Sequence, residues 1–443
     1  MPLCRPILFL GVLMRLPLSA WILSCFLTNV SATVVPKNII FMIGDGMGPA
    51  QIAAYRHFKD DPKTPQVETT IFDQLLVGSV STDPYDKKDE VTDSAAAATA
   101  LSCGQKTYNG AICFDTQKKP LIPLFERAAL KGKSTGVVVT SQINHATPAA
   151  FAAAVEERHQ YDLIAKQYLD RKVNGKPILD VMLGGGIEYF RDGKDDLLKK
   201  FSKLGYQISI DEASMQLLNN KAPIIGLYAK KGLKPYLDRK DTQITLSSLM
   251  DKALARLETN PKGFVMMIEG SQIDWASHDN DILDTVWETE EFAKAVQKAS
   301  NYVKTHPDTL LLVTADHETG GLSLGANDEY YWNPVPLTNA KYSIPAMVKK
   351  FTQGTDIKKL SEDQGLVLSD VQLDKAKLIQ PKEEKSSQIF LQSLFDTATN
   401  SGWTTHGHTG VDVWLMAKGT RSEDFRGHLN NDEIGKKLIE ILE

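Results

Sequence analysis

Asn38-Ile39-Ile40-Phe41-Met42-Ile43-Gly44-Asp45-Gly46-Met47-Gly48-Pro49 is the stretch from which the fold is read. The run Ile39 to Ile43 has strand length and no polar face, so the strand it predicts is buried on both sides. Glycines then allow a tight turn, and Pro49, whose φ is already helical, opens a helix. Similar apolar runs recur at Thr135 to Thr140, Ile178 to Leu183, Phe264 to Ile268 and Leu310 to Thr314. Amphipathic helical stretches lie between them: Pro49 to His57, Leu121 to Lys131, Pro148 to Glu157, Leu246 to Glu258 and Ile282 to Lys304. Strands buried on both faces and separated by helices predict an α/β three-layer sandwich with a mostly parallel central sheet. Ligands in such sheets gather beyond the carboxyl ends of the strands, where Asp45 stands, well placed to bind a cation.

The chain has 443 residues, of which 42% are hydrophobic and 24% charged, with a formal net charge of -5. It exceeds the usual single-core limit of about 250 to 300 residues, so one large domain with an insertion, or two domains, is expected. The charge argues against a nucleic-acid partner, because no domain-wide positive field gathers phosphates. A small anionic substrate would need a local source of positive charge, and bound metal supplies one.

Residues 1–32 read as a signal peptide: Leu16 to Leu27 is an apolar block behind Arg15, and Val30-Ser31-Ala32 suits cleavage before Thr33. Met14 is an alternative start. An uncleaved anchor and lipid attachment at Cys25 are the competing readings. Export to a periplasm or to the cell exterior is expected, with no membrane span in the mature chain, residues 33–443. Two cysteines remain there, Cys103 and Cys113, and they fit either a disulfide or two buried thiols.

The residues suited to chemistry cluster where strands end. In Val91-Thr92-Asp93-Ser94-Ala95-Ala96-Ala97-Ala98 a loop hands over to a helix, with Asp93 or Ser94 as cap. That puts the Ser94 hydroxyl at a positive helix end, which favours an incoming anion. Past Phe264 to Ile268 come Glu269 and then Asp274 and His278, four residues apart and so on one helical face, an arrangement that suits two ligands on one metal. Asp316-His317 follows Leu310 to Ala315. His406 and His408 precede a strand expected at Val411 to Met416. After Thr135 to Thr140 come Asn144-His145-Ala146-Thr147-Pro148, where Thr147 reads as a helix cap, and then Arg158, which on local evidence is a solvated helix end.

Taken in order, these segments resemble the metal-dependent alkaline phosphatases across essentially the whole mature chain. Gly44-Asp45-Gly46-Met47-Gly48, Thr92-Asp93-Ser94-Ala95-Ala96, His145-Ala146-Thr147-Pro148, Glu269-Gly270 through His278, Thr314 through Gly321 and His408-Thr409-Gly410 carry the resemblance. It implies a phosphomonoester hydrolase of broad substrate range that releases inorganic phosphate through a phosphoseryl intermediate on Ser94. The implied ligands of one zinc are Asp274, His278 and His408, and of a second Asp45, Asp316 and His317. Magnesium would take Asp45, Thr147 and Glu269, while Arg158 would clamp the phosphate and His145 would contribute to phosphate binding. The family varies at His145 and Trp275, and an indole where some members have lysine removes a phosphate partner, so faster product release is expected. Residues 322–403 match a surface, crown-type insertion, and a homodimer is a candidate assembly. A related phosphodiesterase or sulfatase, or a secreted metal- or phosphate-binding protein without turnover, are the alternatives.

Overall fold

The strand read from Ile39 to Ile43 lies in the middle of the observed sheet. In the computed structural model, which describes residues 34–86, 88–191, 195–379 and 383–443, it spans Asn38–Gly44 (β1), and all of its residues are buried. The segment 1–32, expected to be a signal peptide, lies outside the described residues. Val35–Glu443 form one compact unit.

Among the described residues the central sheet has ten strands. After β1 come Leu76–Ser81 (β2), Ser134–Gln142 (β3), Val181–Gly185 (β4), Gln207–Ser209 (β5), Ile224–Leu227 (β6), Phe264–Gly270 (β7), Thr309–Thr314 (β8), Val413–Gly419 (β9) and Gly427–Asn430 (β10). Their order across the sheet is β10-β2-β9-β8-β1-β7-β3-β4-β6-β5. Only β9 runs against its neighbours β8 and β2, so the sheet is mostly parallel, as the buried apolar runs require. The helices that matter for the site are Pro49–Lys59 (α1), Ser94–Cys103 (α2), Ala146–Ala152 (α3), Leu246–Leu257 (α4), Gln272–His278 (α5), Ile282–Thr305 (α6) and Glu384–Thr399 (α7). α4 packs on β3 and β4, and α6 on β7, β8 and β1, burying one apolar stripe each against the sheet.

Register decides where the loops leave the sheet. Ile43 on β1 lies opposite both Thr314 on β8 and Glu269 on β7, and Val139 on β3 lies opposite Glu269. The carboxyl ends of four adjacent strands are therefore nearly level. Asp45 and Asp316 each stand two residues past a paired position, so the acids that follow the strands converge on one patch.

Several elements differ from the sequence expectation. The helix expected from Pro148 to Glu157 ends at Ala152, because Ala153 is extended and Val155 pairs with Ile112. A long-range bridge there overrides the helix preference of alanine. Thr147 is not a cap: His145 takes the N-cap position, and Thr147 sits inside the first turn. The strand expected from Ile178 begins at Val181, and the one expected at Val411 to Met416 runs from Val413 to Gly419. β2, β5, β6 and β10 were not legible: β5 and β10 are short edge strands, β6 has four residues, and most of β2 is only half-buried.

Residues 322–403 are mostly helical. Their two ends meet where Ser323–Leu324 pairs with Ser401–Gly402. α7 buries Phe390, Leu391, Leu394 and Phe395, and it packs on Ile344–Thr352 and on α6. The segment thus has an apolar face of its own. Cys103 at the end of α2 is disulfide-bonded to Cys113, with their Cα atoms 6.3 Å apart. No helix among the described residues is long and apolar enough to cross a membrane.

Candidate metal centre and active site

Three groups of side chains at the level strand ends bring their ligating atoms within 4.8 Å of one another: Asp274, His278 and His408; Asp45, Asp316 and His317; and Asp45, His145 and Glu269. Each group draws on separated parts of the chain, so convergence is a product of the sheet.

In the first group, Asp274 and His278 share one face of α5, with His278 Nε2 3.4 Å from Asp274 Oδ1. His408 arrives on the short strand His408–Thr409, which pairs with Glu318–Thr319. Its Nδ1 lies 2.8 Å from the carbonyl of Thr92, and Nδ1 of His278 lies against the carbonyl of His406. A carbonyl oxygen can only accept, so both rings carry their proton on Nδ1. The two Nε2 atoms, with lone pairs exposed, are left 3.1 Å apart beside the Asp274 carboxylate. Two facing lone pairs repel, and a cation between them removes the conflict.

The second group repeats this logic in a drier place. Thr319 donates its hydroxyl to Asp274 Oδ1 at 2.5 Å, so its oxygen is free to accept from Nδ1 of His317 at 3.2 Å. Nε2 of His317 then presents a lone pair to Asp316 Oδ2 at 3.2 Å, to Asp45 Oδ1 at 3.5 Å and to the Ser94 hydroxyl at 3.1 Å. Both carboxyl oxygens of Asp45 and Oδ2 of Asp316 are buried without a hydrogen-bond donor. Burial, followed by the neighbouring acids, pushes Asp316 up to about 8 and raises Asp45 well above its ordinary value. Burial and the charges of His408 and His278 hold His317 well below its ordinary value. Such a set of unpaired acceptors is costly unless a cation completes it.

The third group shares Asp45 and adds Glu269 and His145. Oε1 of Glu269, Nδ1 of His145 and the hydroxyl of Thr147 are all buried and unpartnered. Burial lifts Glu269 to about 7, against a hydrogen bond from Ser271, and drops His145 to about 3. The unpartnered atoms of the second and third groups, and the facing Nε2 atoms of the first, match the donor set of divalent cations, mixed imidazole and carboxylate in two and oxygen-rich with one imidazole in the third. His145, read from the sequence as a phosphate contact, lies with Asp45 and Glu269 in this candidate group, its ring edge-on to Trp275 at 5.8 Å.

Ser94 is the first residue of α2, 1% exposed, and Asp93 is the cap, its Oδ1 accepting from the Ala96 amide at 2.9 Å. The other oxygen of Asp93 receives Arg158 at 2.9 Å and the Gly110 amide at 3.0 Å. Arg158 is not on a helix end. It follows the extended segment that pairs Val155 with Ile112, and its amide donates to the Gly110 carbonyl. The capping residue of the Ser94 helix therefore also anchors the guanidinium. His406 stays outside the three groups and hydrogen-bonds the His278 carbonyl through Nδ1.

Sequence reading passed over Thr319, Ser271 and the second role of Asp93, since none of these contacts has a local signature. Gly46 was visible only as a turn. Its φ is +70°, and a Cβ there would lie 2.8 Å from the Cα of Asp274, so the glycine lets the first loop reach the second group's neighbour.

A family model described as alkaline phosphatase matches residues 36–443. Alkaline phosphatase 3 of Bacillus subtilis is 43% identical over 415 residues, covering 92% of this chain and 89% of that one. An alkaline phosphatase of Schizosaccharomyces pombe is 35% identical, with 90% and 80% covered. Among solved structures, the cold-active alkaline phosphatase of a psychrophilic Shewanella superposes with a TM-score of 0.87 at 41% identity, covering 92% of this chain and all of that one.

Proposed function

The chain belongs to the alkaline phosphatase family, and from that premise we propose that the Ser94 oxygen is the nucleophile that attacks phosphate monoesters in this metal-dependent hydrolase. The observation that carries the reading is the placement of the Ser94 hydroxyl 3.1 Å from the Nε2 of a buried imidazole that also faces the unpartnered oxygens of Asp45 and Asp316. Ser94 Oγ bonds to phosphorus as the ester oxygen leaves with its alcohol. Water then attacks the phosphoserine, the Ser94 oxygen–phosphorus bond breaks, and inorganic phosphate departs. Zinc held by Asp274, His278 and His408 and by Asp45, Asp316 and His317, with magnesium held by Asp45, Thr147 and Glu269, supplies when bound the positive charge that stabilises a deprotonated serine oxygen, the phosphate and the departing alcohol.

The chain's own residues orient the ester. Arg158 presents a planar fork to two phosphate oxygens, and Asp93 holds it in place. The amino end of α2 adds aligned amides beneath the phosphate. Thr319 fixes the proton of His317 away from the site, so that Nε2 faces inward. His145 belongs to the third group and lies beside Trp275, where it can contribute to phosphate binding as well as to the cation site. Little of this machinery grips the alcohol, so a broad range of phosphate monoesters is expected as substrates. Export fits the Cys103–Cys113 disulfide, which persists in oxidising compartments.

Hydrolysis of p-nitrophenyl phosphate, its bis ester and p-nitrophenyl sulfate, each with and without chelator, tests the proposal. The monoester is expected to turn over fastest and to lose its turnover on chelation. Preference for the diester or sulfate, or chelator-resistant hydrolysis, contradicts it.

A further inference from the structure

The loop that follows α2 folds back onto the residues in front of that helix. It leaves at Gly104, whose φ is +67°, and the Cys103–Cys113 disulfide closes it. Thr99, midway along α2, holds the returning leg: its hydroxyl donates to the Ala111 carbonyl at 3.0 Å and accepts from the Cys113 amide at 2.9 Å. A cross-link between residues 10 apart leaves such a loop few conformations.

Two consecutive residues of this loop reach both sides of the phosphate site. Oδ1 of the half-buried Asn109 accepts from the Asp93 amide at 2.8 Å, and its Nδ2 donates to the Val91 carbonyl at 3.0 Å. One side chain thus spans the turn that delivers Ser94, and a donor on one side with an acceptor on the other fixes which way its amide faces. The amide of Gly110 donates to Asp93 Oδ2 at 3.0 Å, and its carbonyl accepts from the Arg158 amide at 2.8 Å. Gly110 does this at a φ of +89°, which glycine adopts freely. Ile112 then exchanges both backbone bonds with Val155, at 3.0 and 2.9 Å. Ser94 and Arg158, far apart in sequence, are therefore both referred to one short loop.

We propose that the disulfide-closed loop 104–112 is a positioning strap for the phosphate site, with Asn109 the positioning residue that sets Ser94 and Arg158 relative to each other. Asn109 acts through the backbone of Asp93, whose carboxylate holds the guanidinium and whose peptide leads into Ser94. The inference rests on the phosphomonoesterase reading above, in which Ser94 attacks and Arg158 grips the phosphate. Groups of this kind tolerate little displacement: a misplacement of about 1 Å costs on the order of 100-fold in rate.

The test uses the metal-loaded enzyme well below its melting temperature and reads kcat/KM for p-nitrophenyl phosphate together with the inhibition constant of inorganic phosphate. Asn109→Ala is expected to lower kcat/KM and to raise the inhibition constant, each by about five- to tenfold, the value of one neutral hydrogen bond. On an Arg158→Ala background the same substitution should still lower kcat/KM, through Ser94. There it should move the inhibition constant by less than about twofold, because the group it positions is gone. An asparagine that only stabilises the fold would show no such dependence. Cys103→Ala/Cys113→Ala, which opens the loop, should raise the inhibition constant in the same way and also melt earlier. Unchanged kinetics in Asn109→Ala, or an inhibition constant raised equally in both backgrounds, overturns the strap, and so does a cross-link variant that melts earlier with unchanged inhibition. If Asn109→Ala does not fold, the cross-link variant decides. If Arg158→Ala by itself leaves phosphate inhibition unchanged, it is the reading of the reaction that fails, and the strap falls with it.

Discussion

Thr319 shows how much depends on single atoms outside the ligand set. Its hydroxyl donates to Asp274 and accepts from His317, joining two of the ligand groups and fixing the tautomer of the imidazole that faces Ser94. Thr319→Val keeps the β-branched shape and removes both bonds. Metal affinity or turnover is expected to fall about 10- to 100-fold, the usual cost of losing a partner behind a ligand. Zinc titration of the chelated variant alongside its kcat checks this, and unchanged values in both would show that Thr319 is only packing. The residue lay inside a recognised stretch of sequence, but its task depends on α5 and the loop after β8 being side by side, which no local pattern records.

At the scale of elements, α2 and α6 illustrate two uses of acids at helix starts. Asp93 caps α2 with one oxygen and holds Arg158 with the other, so a residue legible as a cap also serves the site. α6 buries Asp281, Asp284 and Glu288 along its first turns. Burial pushes Asp281 up to about 7 and Glu288 up to about 8, so both are favoured neutral in the folded chain. A carboxyl whose value is raised on folding stabilises the fold fully below its unfolded value and loses that contribution as pH climbs through the folded one. The chelated protein should therefore melt at falling temperature between about pH 4 and pH 8. Asp281 caps the helix through the amide of Asp284, a bond that asparagine can also make. In Asp281→Asn the loss across that range should shrink, on the order of 2–4 kcal/mol. Parallel melting curves for the two proteins would contradict this.

On the scale of the molecule, the sheet turns scattered residues into a centre. The apolar runs made β1, β3, β7 and β8 legible, because buried parallel strands have no polar face to obscure. Their order and register were not, since pairing Ile43 with Thr314 and Glu269 is a long-range choice. The sequence also could not reveal that α3 starts after His145, which frees the Thr147 hydroxyl from capping, or that it stops at Ala152, which leaves Arg158 beyond an extended segment. The candidate ligands themselves were legible residue by residue, and the fold assembles them. What remains is whether this assembly makes Ser94 the attacking group. Rapid acid quenching of the metal-loaded enzyme during turnover, followed by mass spectrometry of its peptides, answers that directly. The expected result is one added phosphoryl group on the peptide containing Ser94, absent from Ser94→Ala along with the hydrolysis. Full hydrolysis by Ser94→Ala, or a phosphoryl group on another residue, would contradict it.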